Sequence, residues 1–336
     1  YSASITVAAQ EFSDAEHYLQ RQGMYLALGV LSGYFITQSR IVLWHRLAGF
    51  ALLAAAALLV MVLVPGVGIE VNGASRWLGT AGLRVQPSEL AKLAFLMFVA
   101  ARLSEADTPE LLRERMYVIL GSLVIIGALL LAEPDFGSLA VLAVTVAGLL
   151  FLYGARWLYF VALGGAGGLA LAVLAVASPY RVARLTSFLD PWGDPGGSGF
   201  QLIQSLIAFG SGGWFGVGLG SSVQKLFYLP EAHTDFLLAV LAEELGLFAV
   251  LGIIGLFTFL TARAFAIARR AAANGDGFAA LLGYGLGLSL GVQAFVNLGV
   301  NMGVLPTKGL TLPLMSYGGT SLVVSCLQIA LLLRID

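Results

Sequence analysis

The sequence predicts an all-α polytopic membrane protein: a bundle of transmembrane helices whose connections include two long extracytoplasmic loops. Of its 336 residues, 59% are hydrophobic and 11% are charged, and the mean hydropathy is +0.90. A soluble domain averages roughly 45–50% apolar and about 25% charged residues. A chain so much more apolar than this is expected to fold in a lipid bilayer.

Apolar runs of nearly the length of a bilayer recur along the whole chain. A transmembrane helix needs about 17–25 mostly apolar residues. The predicted spans lie near 23–39, 46–64, 88–103, 116–132, 136–153, 156–177, 235–262, 279–300 and 317–334. The fourth and fifth are separated only by Glu133-Pro-Asp-Phe136, which predicts an antiparallel pair of helices joined by a tight polar turn.

Basic residues in short loops predict the orientation, because Lys and Arg are retained on the cytoplasmic side. One set of helix ends holds Arg40, Arg46, Arg102, Arg113, Arg115, Arg156, Arg263, Arg269, Arg270 and Arg334. These ends are predicted to face the cytoplasm. The opposite side carries its basic residues mostly in two long connections, where this rule has little force.

Composition also argues against several classes of partner and cofactor. The formal net charge is −1 and no basic block alternates with aromatic residues, so no nucleic-acid partner is expected. Cys326 is the single cysteine, which excludes an intrachain disulfide and a cysteine-based metal site. The three histidines are too scattered for a zinc site. The chain begins at Tyr1 without an apolar leader, so no signal peptide is expected in it.

Two connections on the predicted outer side, 65–87 and about 178–234, are too long to be simple turns and are expected to carry function. In the second, the run 201–209 is too short to span and is expected either at the interface or as a re-entrant segment. The glycine-rich run 210–220 lacks the G-x-x-x-x-G-K-[ST] pattern of a nucleotide-binding loop. It predicts flexible or tightly folded backbone lining a cavity.

A polar segment, Tyr228-Leu-Pro-Glu-Ala-His-Thr-Asp-Phe236, stands immediately before a long apolar run. Its proline and glutamate are a helix-start signal, and Thr234 or His233 is the predicted cap, so Asp235 is expected in the first turn of a membrane helix. Two interpretations of this carboxylate are open. It either complements the helix dipole, worth roughly 0.3–1 kcal/mol, or carries chemistry at the water boundary.

Charged residues inside apolar spans are costly, and they therefore face a partner or a water-filled cavity. Glu89 and Lys92, at i and i+3, either neutralise each other or line a polar cavity that opens outward beside Arg76 and Trp77. For Trp77 the alternative is a place in the interfacial aromatic belt.

Two adjacent acids, Glu243 and Glu244, follow Asp235 in the same apolar run. At about 100° per residue, Glu243 lies about 80° round the helix from Asp235 and roughly 12 Å deeper. A buried pairing with an arginine or a backbone donor is therefore favoured over a catalytic dyad.

Glycines at four-residue spacing, Gly283, Gly287 and Gly291, form a ridge that lets helices approach closely. The ridge either packs within the bundle, which is the favoured interpretation, or receives the membrane helix of a partner.

Basic residues from distant outward segments offer an anion site if they converge, since forked guanidinium groups suit phosphate oxygens. They are Arg76, Arg84, Lys92, Arg181, Arg184, Lys225 and Lys308. The alternative is that they are solvated loop charges.

Six motifs occur in order along nearly the whole chain. They are Tyr1-Ser-Ala-Ser4, Gly73-Ala-Ser-Arg-Trp77, Gln86-Pro-Ser-Glu-Leu-Ala-Lys92, Glu133-Pro-Asp-Phe-Gly137, Gln224-Lys-Leu-Phe-Tyr-Leu-Pro-Glu-Ala-His-Thr-Asp-Phe236 and Leu305-Pro-Thr-Lys-Gly-Leu-Thr-Leu-Pro-Leu-Met-Ser-Tyr-Gly-Gly319. With these the chain resembles the SEDS family, the RodA/FtsW peptidoglycan glycosyltransferases. Two of the motifs, 224–232 and 305–313, look more like the division-type FtsW branch.

The resemblance implies a single SEDS transmembrane domain over residues 1–336, with ten helices in the family of which nine are visible here. It implies polymerisation of lipid II, in which a glycan on undecaprenyl diphosphate is joined to the sugar hydroxyl of another lipid-linked disaccharide. It also implies a multi-pass protein of the bacterial cytoplasmic (inner) membrane with an extracytoplasmic active site. The expected partner is a class B penicillin-binding protein, the transpeptidase. The open alternatives are a lipid II flippase and a scaffold for that transpeptidase.

Carried over residue by residue, the family's essential acid falls on Asp235, expected to be the general base on the acceptor hydroxyl. Arg76, Lys92 and Lys225 are the leading candidates for the charge of the leaving diphosphate. Trp77 and Glu89 are expected to shape the cavity. The matched motifs add His233, Thr234, Lys308 and Ser316 as expected substrate-binding residues. The sequence requires no cofactor, and a divalent cation assisting the diphosphate is left open.

Overall fold

The computed structural model describes residues 2–71, 74–80, 84–176, 188–197, 199–307 and 309–336, and helices dominate them. The helices are α1 (Ile5–Phe12), α2 (His17–Gln38), α3 (Ile41–Leu63), α4 (Pro87–Ser104), α5 (Pro109–Ala132), α6 (Phe136–Tyr153), α7 (Trp157–Val176), α8 (Phe200–Gly212), α9 (Leu237–Ala273), α10 (Gly277–Asn301) and α11 (Gly319–Ile335). The strands are β1 (Ile69–Val71), β2 (Ala74–Gly79) and β3 (Arg84–Val85).

Each of the nine predicted spans coincides with a helix, from α2 to α7 and from α9 to α11. Among the residues described, α3, α5, α6, α9 and α10 are long and apolar enough to cross a bilayer, and α11 is a shorter apolar helix. The predicted fold class, an all-helical membrane protein with several spans, is therefore confirmed.

The chain divides into two compact units. The first comprises Tyr1–Arg21, Leu150–Phe257 and Gln293–Tyr317, and the second comprises Gln22–Leu149, Thr258–Val292 and Gly318–Asp336. Asp235 and Lys225 belong to the first unit, whereas Arg76, Trp77, Glu89 and Lys92 belong to the second. The single domain expected over residues 1–336 stays a prediction.

Helix α4 is the central helix of the second unit, since most of its residues are buried, including Glu89 and Lys92. It begins after an extended Gln86 with Pro87 in its first turn, where the missing N–H costs nothing. Glu89 lies in that same turn, where the positive end of the helix dipole favours a carboxylate. Burial on every side places the two charged groups in the protein interior.

The connection 65–87 contains a small antiparallel sheet in the order β1-β2-β3. Strand β2 carries Arg76 and Trp77, and Trp77 lies opposite Ile69 of β1. This sheet was not predicted, because β1 and β3 have only three and two residues and the six residues of β2 show no alternation of buried and exposed positions.

The glycine ridge of α10 packs against α9 inside the second unit. A Cβ atom added to Gly287 would stand 2.8 Å from Cβ of Ala264, and one added to Gly291 would stand 2.8 Å from Oγ1 of Thr261. Gly283 meets the same helix one turn further along. The favoured interpretation, packing within the bundle, is confirmed.

Candidate active site

Asp235 lies in a turn, two residues before α9 begins at Leu237. The prediction that it occupies the first turn of the helix is therefore wrong. The predicted cap is also wrong for Thr234, whose hydroxyl donates to Oε2 of Glu231 at 2.8 Å and to the Glu231 carbonyl at 3.2 Å. Thr234 and His233 lie three and four residues before α9 begins, so neither stands at the N-cap position and the predicted cap is wrong for His233 as well.

The cap of α9 comes instead from a distant helix. Oδ1 of Asn301, on α10, accepts a hydrogen bond from the N–H of Ala239 at 3.2 Å. Asn301 is fully buried, so its amide replaces the water that an N-terminal N–H would otherwise bind. No pattern near Asp235 could have indicated a partner 62 residues away.

Two buried amides converge on the main chain of Asp235. Nδ2 of Asn297 and Nδ2 of Asn301 each donate to its carbonyl oxygen at 2.9 Å. Nδ2 of Asn297 also donates to the carbonyl of Leu310 at 2.5 Å. The turn that carries Asp235 is thus tied both to α10 and to the segment after it. Sequence reasoning missed both asparagines.

The carboxylate of Asp235 is half-buried and approaches a glycine. A Cβ atom added to Gly309 would stand 2.8 Å from Oδ2 of Asp235. The neighbouring Lys308, an expected substrate-binding residue, lies outside the described residues.

His233 and Ser316, two further expected site residues, are both in contact with their surroundings. The His233 ring lies 4.9 Å from the ring of Tyr18 and 5.8 Å from that of Tyr317. Its carbonyl accepts a hydrogen bond from the Tyr317 N–H at 3.0 Å. The buried Ser316 hydroxyl accepts from the N–H of Leu312 at 2.9 Å. These contacts hold the polar segment and the segment 312–317 together within the first unit.

Glu243 fastens the chain that leads to Asp235. Its buried carboxylate accepts hydrogen bonds from the N–H groups of Val223 and Gln224, both at 3.2 Å, and from the Ser222 hydroxyl. The predicted pairing with a backbone donor is therefore confirmed.

Glu244 also attaches the chain that leads to Asp235. Its partner is Lys225, whereas the predicted partner was an arginine or a backbone donor. Nζ of Lys225 lies 2.8 Å from Oε1 of Glu244, 2.9 Å from Oγ of Ser2 and 2.7 Å from the carbonyl of Gly220. The Ser2 hydroxyl also donates to Glu244 at 2.7 Å. All three N–H donors of the ammonium are thus used, and Lys225 is only 5% exposed. Its charge is neutralised inside the protein, which weighs against the expected diphosphate role.

Helix α9 is interrupted at Gly246, whose backbone has φ 76° and ψ −172°. The glycine-rich run inserts at this break: the N–H of Val217 donates to the Glu243 carbonyl at 2.9 Å, and the N–H of Leu247 donates to the Gly213 carbonyl at 2.9 Å. These bonds replace those that the break removes from the helix. Of the two forms expected for the run 210–220, flexible or tightly folded backbone, the structure shows the tightly folded one.

An apolar cavity of about 260 Å³ lies beside the break. It is lined by Phe209, Gly213, Trp214, Ala242 and Leu247. The prediction of backbone lining a cavity is borne out at Gly213.

Glu89 and Lys92 form a buried ion pair, with Nζ 2.8 Å from Oε1. Lys92 is 2% exposed. The interpretation in which they neutralise each other is confirmed. Their lining of a substrate cavity stays a prediction.

Arg76 caps the end of α5. Its Nε donates to the Glu133 carbonyl at 3.1 Å and one of its terminal NH₂ groups donates to the Pro134 carbonyl at 2.7 Å. A cation is favourable at this end of a helix, where carbonyl groups lack partners. The half-buried Trp77 follows it on the same strand.

Glu133, in the turn between α5 and α6, belongs to the predicted polar turn and to one of the six motifs, but no role was predicted for its carboxyl group. Its side chain is fully buried, and within the part of the chain that the structure describes neither carboxylate oxygen has a hydrogen-bond partner. Burial, and then the neighbouring Asp135, raise the pKa of Glu133 to about 8, although Arg76 acts in the opposite direction. At neutral pH this carboxyl is mostly protonated.

A metal site does not emerge from the described ranges, in which no three His, Cys, Asp or Glu side chains are grouped to hold an ion.

Comparison with known families matches the whole chain, residues 1–336, to the FtsW/RodA/SpoVE model, described as cell cycle protein. A probable peptidoglycan glycosyltransferase FtsW of Nitrosococcus halophilus is 52% identical over 335 residues, covering 100% of this chain and 87% of the relative. Its counterpart of the same name in Thioalkalivibrio sulfidiphilus is 50% identical, covering 99% of this chain and 84% of that relative.

Two solved structures are similar as well. A chain from a study of polymerization and crosslinking by a peptidoglycan synthase complex has a TM-score of 0.79 and 34% identity, covering 99% of this chain and 94% of its own. The rod shape determining protein RodA of Thermus thermophilus has a TM-score of 0.69 and 30% identity, with coverage of 99% and 92%. Matched along its entire length in sequence and in fold, this chain belongs to the FtsW/RodA/SpoVE family of cell cycle proteins.

Proposed function

We propose that this protein polymerises lipid II at the outer face of the cytoplasmic membrane, with Asp235 as the general base. The general activity follows from the family: relatives at 52% and 50% identity are named probable peptidoglycan glycosyltransferases, and the protein is a peptidoglycan glycosyltransferase. One observation carries the role of Asp235: its half-buried carboxylate stands in a turn whose main chain is held by two buried amides.

The chemistry requires a group that accepts one proton. Asp235 removes the proton from the acceptor sugar hydroxyl as that oxygen attacks the anomeric carbon of the donor glycan. The bond from that carbon to undecaprenyl diphosphate breaks, and the diphosphate leaves with the electron pair. A positioned base contributes typically about 10²–10⁴-fold to such a step.

Arg76 is the leading candidate for stabilising the leaving diphosphate. Two of its five N–H donors hold the end of α5, and the planar fork suits phosphate oxygens. Lys92 is the second candidate, although its charge is offset by Glu89. Lys225 is assigned a structural role because Glu244, Ser2 and Gly220 use its donors.

The branch and the partner are proposed from the relatives. Identity to the FtsW protein of Nitrosococcus halophilus is 52%, against 30% to the RodA protein of Thermus thermophilus, which favours the division branch. A class B penicillin-binding protein is the proposed partner, because the solved chain with a TM-score of 0.79 comes from work on a complex that polymerises and crosslinks.

A flippase remains the competing function, and the break in α9 bears on it. Broken helices in transporters offer free backbone groups to a substrate. Here groups on both sides of Gly246 bind the protein's own run 213–218, so the break gives transport no specific support.

The test is polymerisation of labelled lipid II by the purified protein, together with its transpeptidase partner where activity requires it. We expect glycan ladders with the unaltered protein and a loss of at least about a hundredfold in Asp235→Asn, whose amide cannot accept the proton. Gly252→Ala, at an exposed glycine of α9 with nothing within 4 Å of the added carbon, is the matched control. Transfer of lipid II across vesicles without any polymer would establish the flippase instead. Full activity in Asp235→Asn would exclude the general base.

A further inference from the structure

Gly309 lies next to the Asp235 carboxylate, and its backbone conformation does not require a glycine. Its φ is not among the positive values that reserve other glycine positions in this chain. Another residue could therefore adopt its conformation. The constraint lies in space: an added Cβ would stand 2.8 Å from Oδ2 and 3.7 Å from Cγ of Asp235. A methyl group there would displace the carboxylate.

The main chain on both sides of this contact is held by the same buried amide. Nδ2 of Asn297 donates to the carbonyl of Asp235 at 2.9 Å and to that of Leu310, the residue after Gly309, at 2.5 Å. It therefore fixes the separation between the carboxylate and the glycine. Gln293, one turn earlier on α10, extends the attachment by donating to the Thr311 carbonyl at 3.1 Å.

Asn301 fixes the same carbonyl from a second direction. Its Nδ2 donates to Asp235 at 2.9 Å while its Oδ1 accepts from Ala239, in the first turn of α9. The turn and the helix start cannot shift independently while both bonds hold. Nδ2 of Asn301 also donates to the Asn297 carbonyl at 2.9 Å, which links the two asparagines.

We propose that Gly309, Asn297 and Asn301 are positioning residues for the Asp235 carboxylate. The asparagines hold its main chain in place, and the bare glycine leaves the carboxylate room to face the acceptor hydroxyl. This inference rests on the proposed role of Asp235 as the base. It gives the glycine of Leu305-Pro-Thr-Lys-Gly-Leu a physical reason, which is contact with the catalytic group.

The first test is Gly309→Ala. We expect kcat for lipid II polymerisation to fall about tenfold or more, because small displacements of a reacting group are costly, with KM and the apparent melting temperature unchanged. The methyl group also removes water from the carboxylate and so disfavours its charged form. The acid limb of the pH–kcat profile should therefore move to higher pH. Gly252→Ala is the matched control, for which we expect no change in either quantity.

The second test uses Asn297→Leu, Asn301→Leu and the double variant. Each single variant leaves the Asp235 carbonyl one donor, so we expect the double variant to lose more activity than the product of the two single losses. The melting temperature is measured in parallel, and Gly309→Ala remains informative if an asparagine variant does not fold.

The outcomes separate this inference from the proposed function. Full activity in Asp235→Asn removes the base and this inference with it. An inactive Asp235→Asn together with a Gly309→Ala protein of unchanged kcat and pH profile leaves the base in place and overturns the positioning role. A fall in kcat with an unmoved acid limb also overturns it, because the glycine would then act on something other than the carboxylate.

Discussion

Each of the two units contains a buried lysine–glutamate ion pair. The two pairs have the same N–O distance but differ in how far apart their residues lie in the sequence. In both, Nζ lies 2.8 Å from Oε1. Glu89 and Lys92 are three residues apart on one helix, whereas Lys225 and Glu244 join a loop to a helix across 19 residues. The local pair could be predicted from its spacing. The distant pair could not, so the sequence left Lys225 as a candidate for binding diphosphate.

The difference concerns what each lysine does besides neutralising an acid. Lys225 spends all three of its donors on Glu244, Ser2 and Gly220, so its role is to fasten the chain that leads to Asp235. Lys92 lies in the first two turns of α4, the helix that follows the strands β2 and β3 in the sequence, and β2 carries Arg76. We therefore expect that neutral residues can replace Lys225 and Glu244 without loss of activity, and that they cannot replace Lys92 and Glu89.

The largest effect is expected from Lys225→Met, which leaves the buried Glu244 without a counter-charge. Breaking a buried pair in this way costs about 3–5 kcal/mol. We expect a strong fall in the melting temperature in detergent and loss of polymerisation, because the chain before Asp235 is released.

The matched double variant is Lys225→Met with Glu244→Gln, which removes both charges and keeps an acceptor for the Ser2 hydroxyl. Neutral replacement of both partners is often close to neutral for stability. Stability and polymerisation should both recover. A stable but inactive double variant would instead indicate that Lys225 binds the leaving diphosphate.

A smaller loss of stability is expected from Lys92→Met. Glu89 then stays buried without its partner, but it lies in the first turn of α4, where the helix dipole still favours a carboxylate. We expect a loss of about 2–4 kcal/mol, which is the cost of breaking a buried pair less the contribution of the helix dipole, measured by thermal unfolding in detergent. Activity should fall because the second diphosphate candidate is lost.

Here the double variant, Lys92→Met with Glu89→Gln, should recover stability without recovering activity. Recovery of both would make the two pairs alike and would leave Arg76 as the remaining candidate for the leaving group.

The same division between local and distant contacts explains how far the sequence could lead. Apolar runs predicted nine of the eleven helices described, since span length is a property of consecutive residues. The cap of α9 was missed because Asn301 lies on another helix, and the small sheet was missed because its strands are short. Asp235 was found through its motif, whereas Asn297 and Asn301, which hold it, belong to no quoted motif and became visible only through their contacts.

Glu133 is buried as a protonated carboxyl group, whereas Glu89 and Glu244 are each paired with a lysine. Its pKa is raised from 4.5 to about 8, so the folded protein binds this proton more tightly than the unfolded chain does. The resulting cost is absent below about pH 4.5, grows as pH rises to about 8 and is constant above that. We therefore expect the melting temperature of the unaltered protein to fall between pH 5 and pH 8, as far as Glu133 determines it.

Glu133→Gln tests this with the smallest expected change. Its amide has no charge to bury, but it also leaves polar atoms without partners, so the net gain at pH 7 should be about 1–2 kcal/mol. The sign depends on pH: the variant should be more stable than the unaltered protein at pH 8 and no more stable at pH 4.5. Thermal unfolding at both values checks it, with Glu114→Gln, at an exposed acid of α5, as the control. An equal difference at the two pH values would contradict this, because it would mean that the pKa of Glu133 is the same in the folded and the unfolded protein.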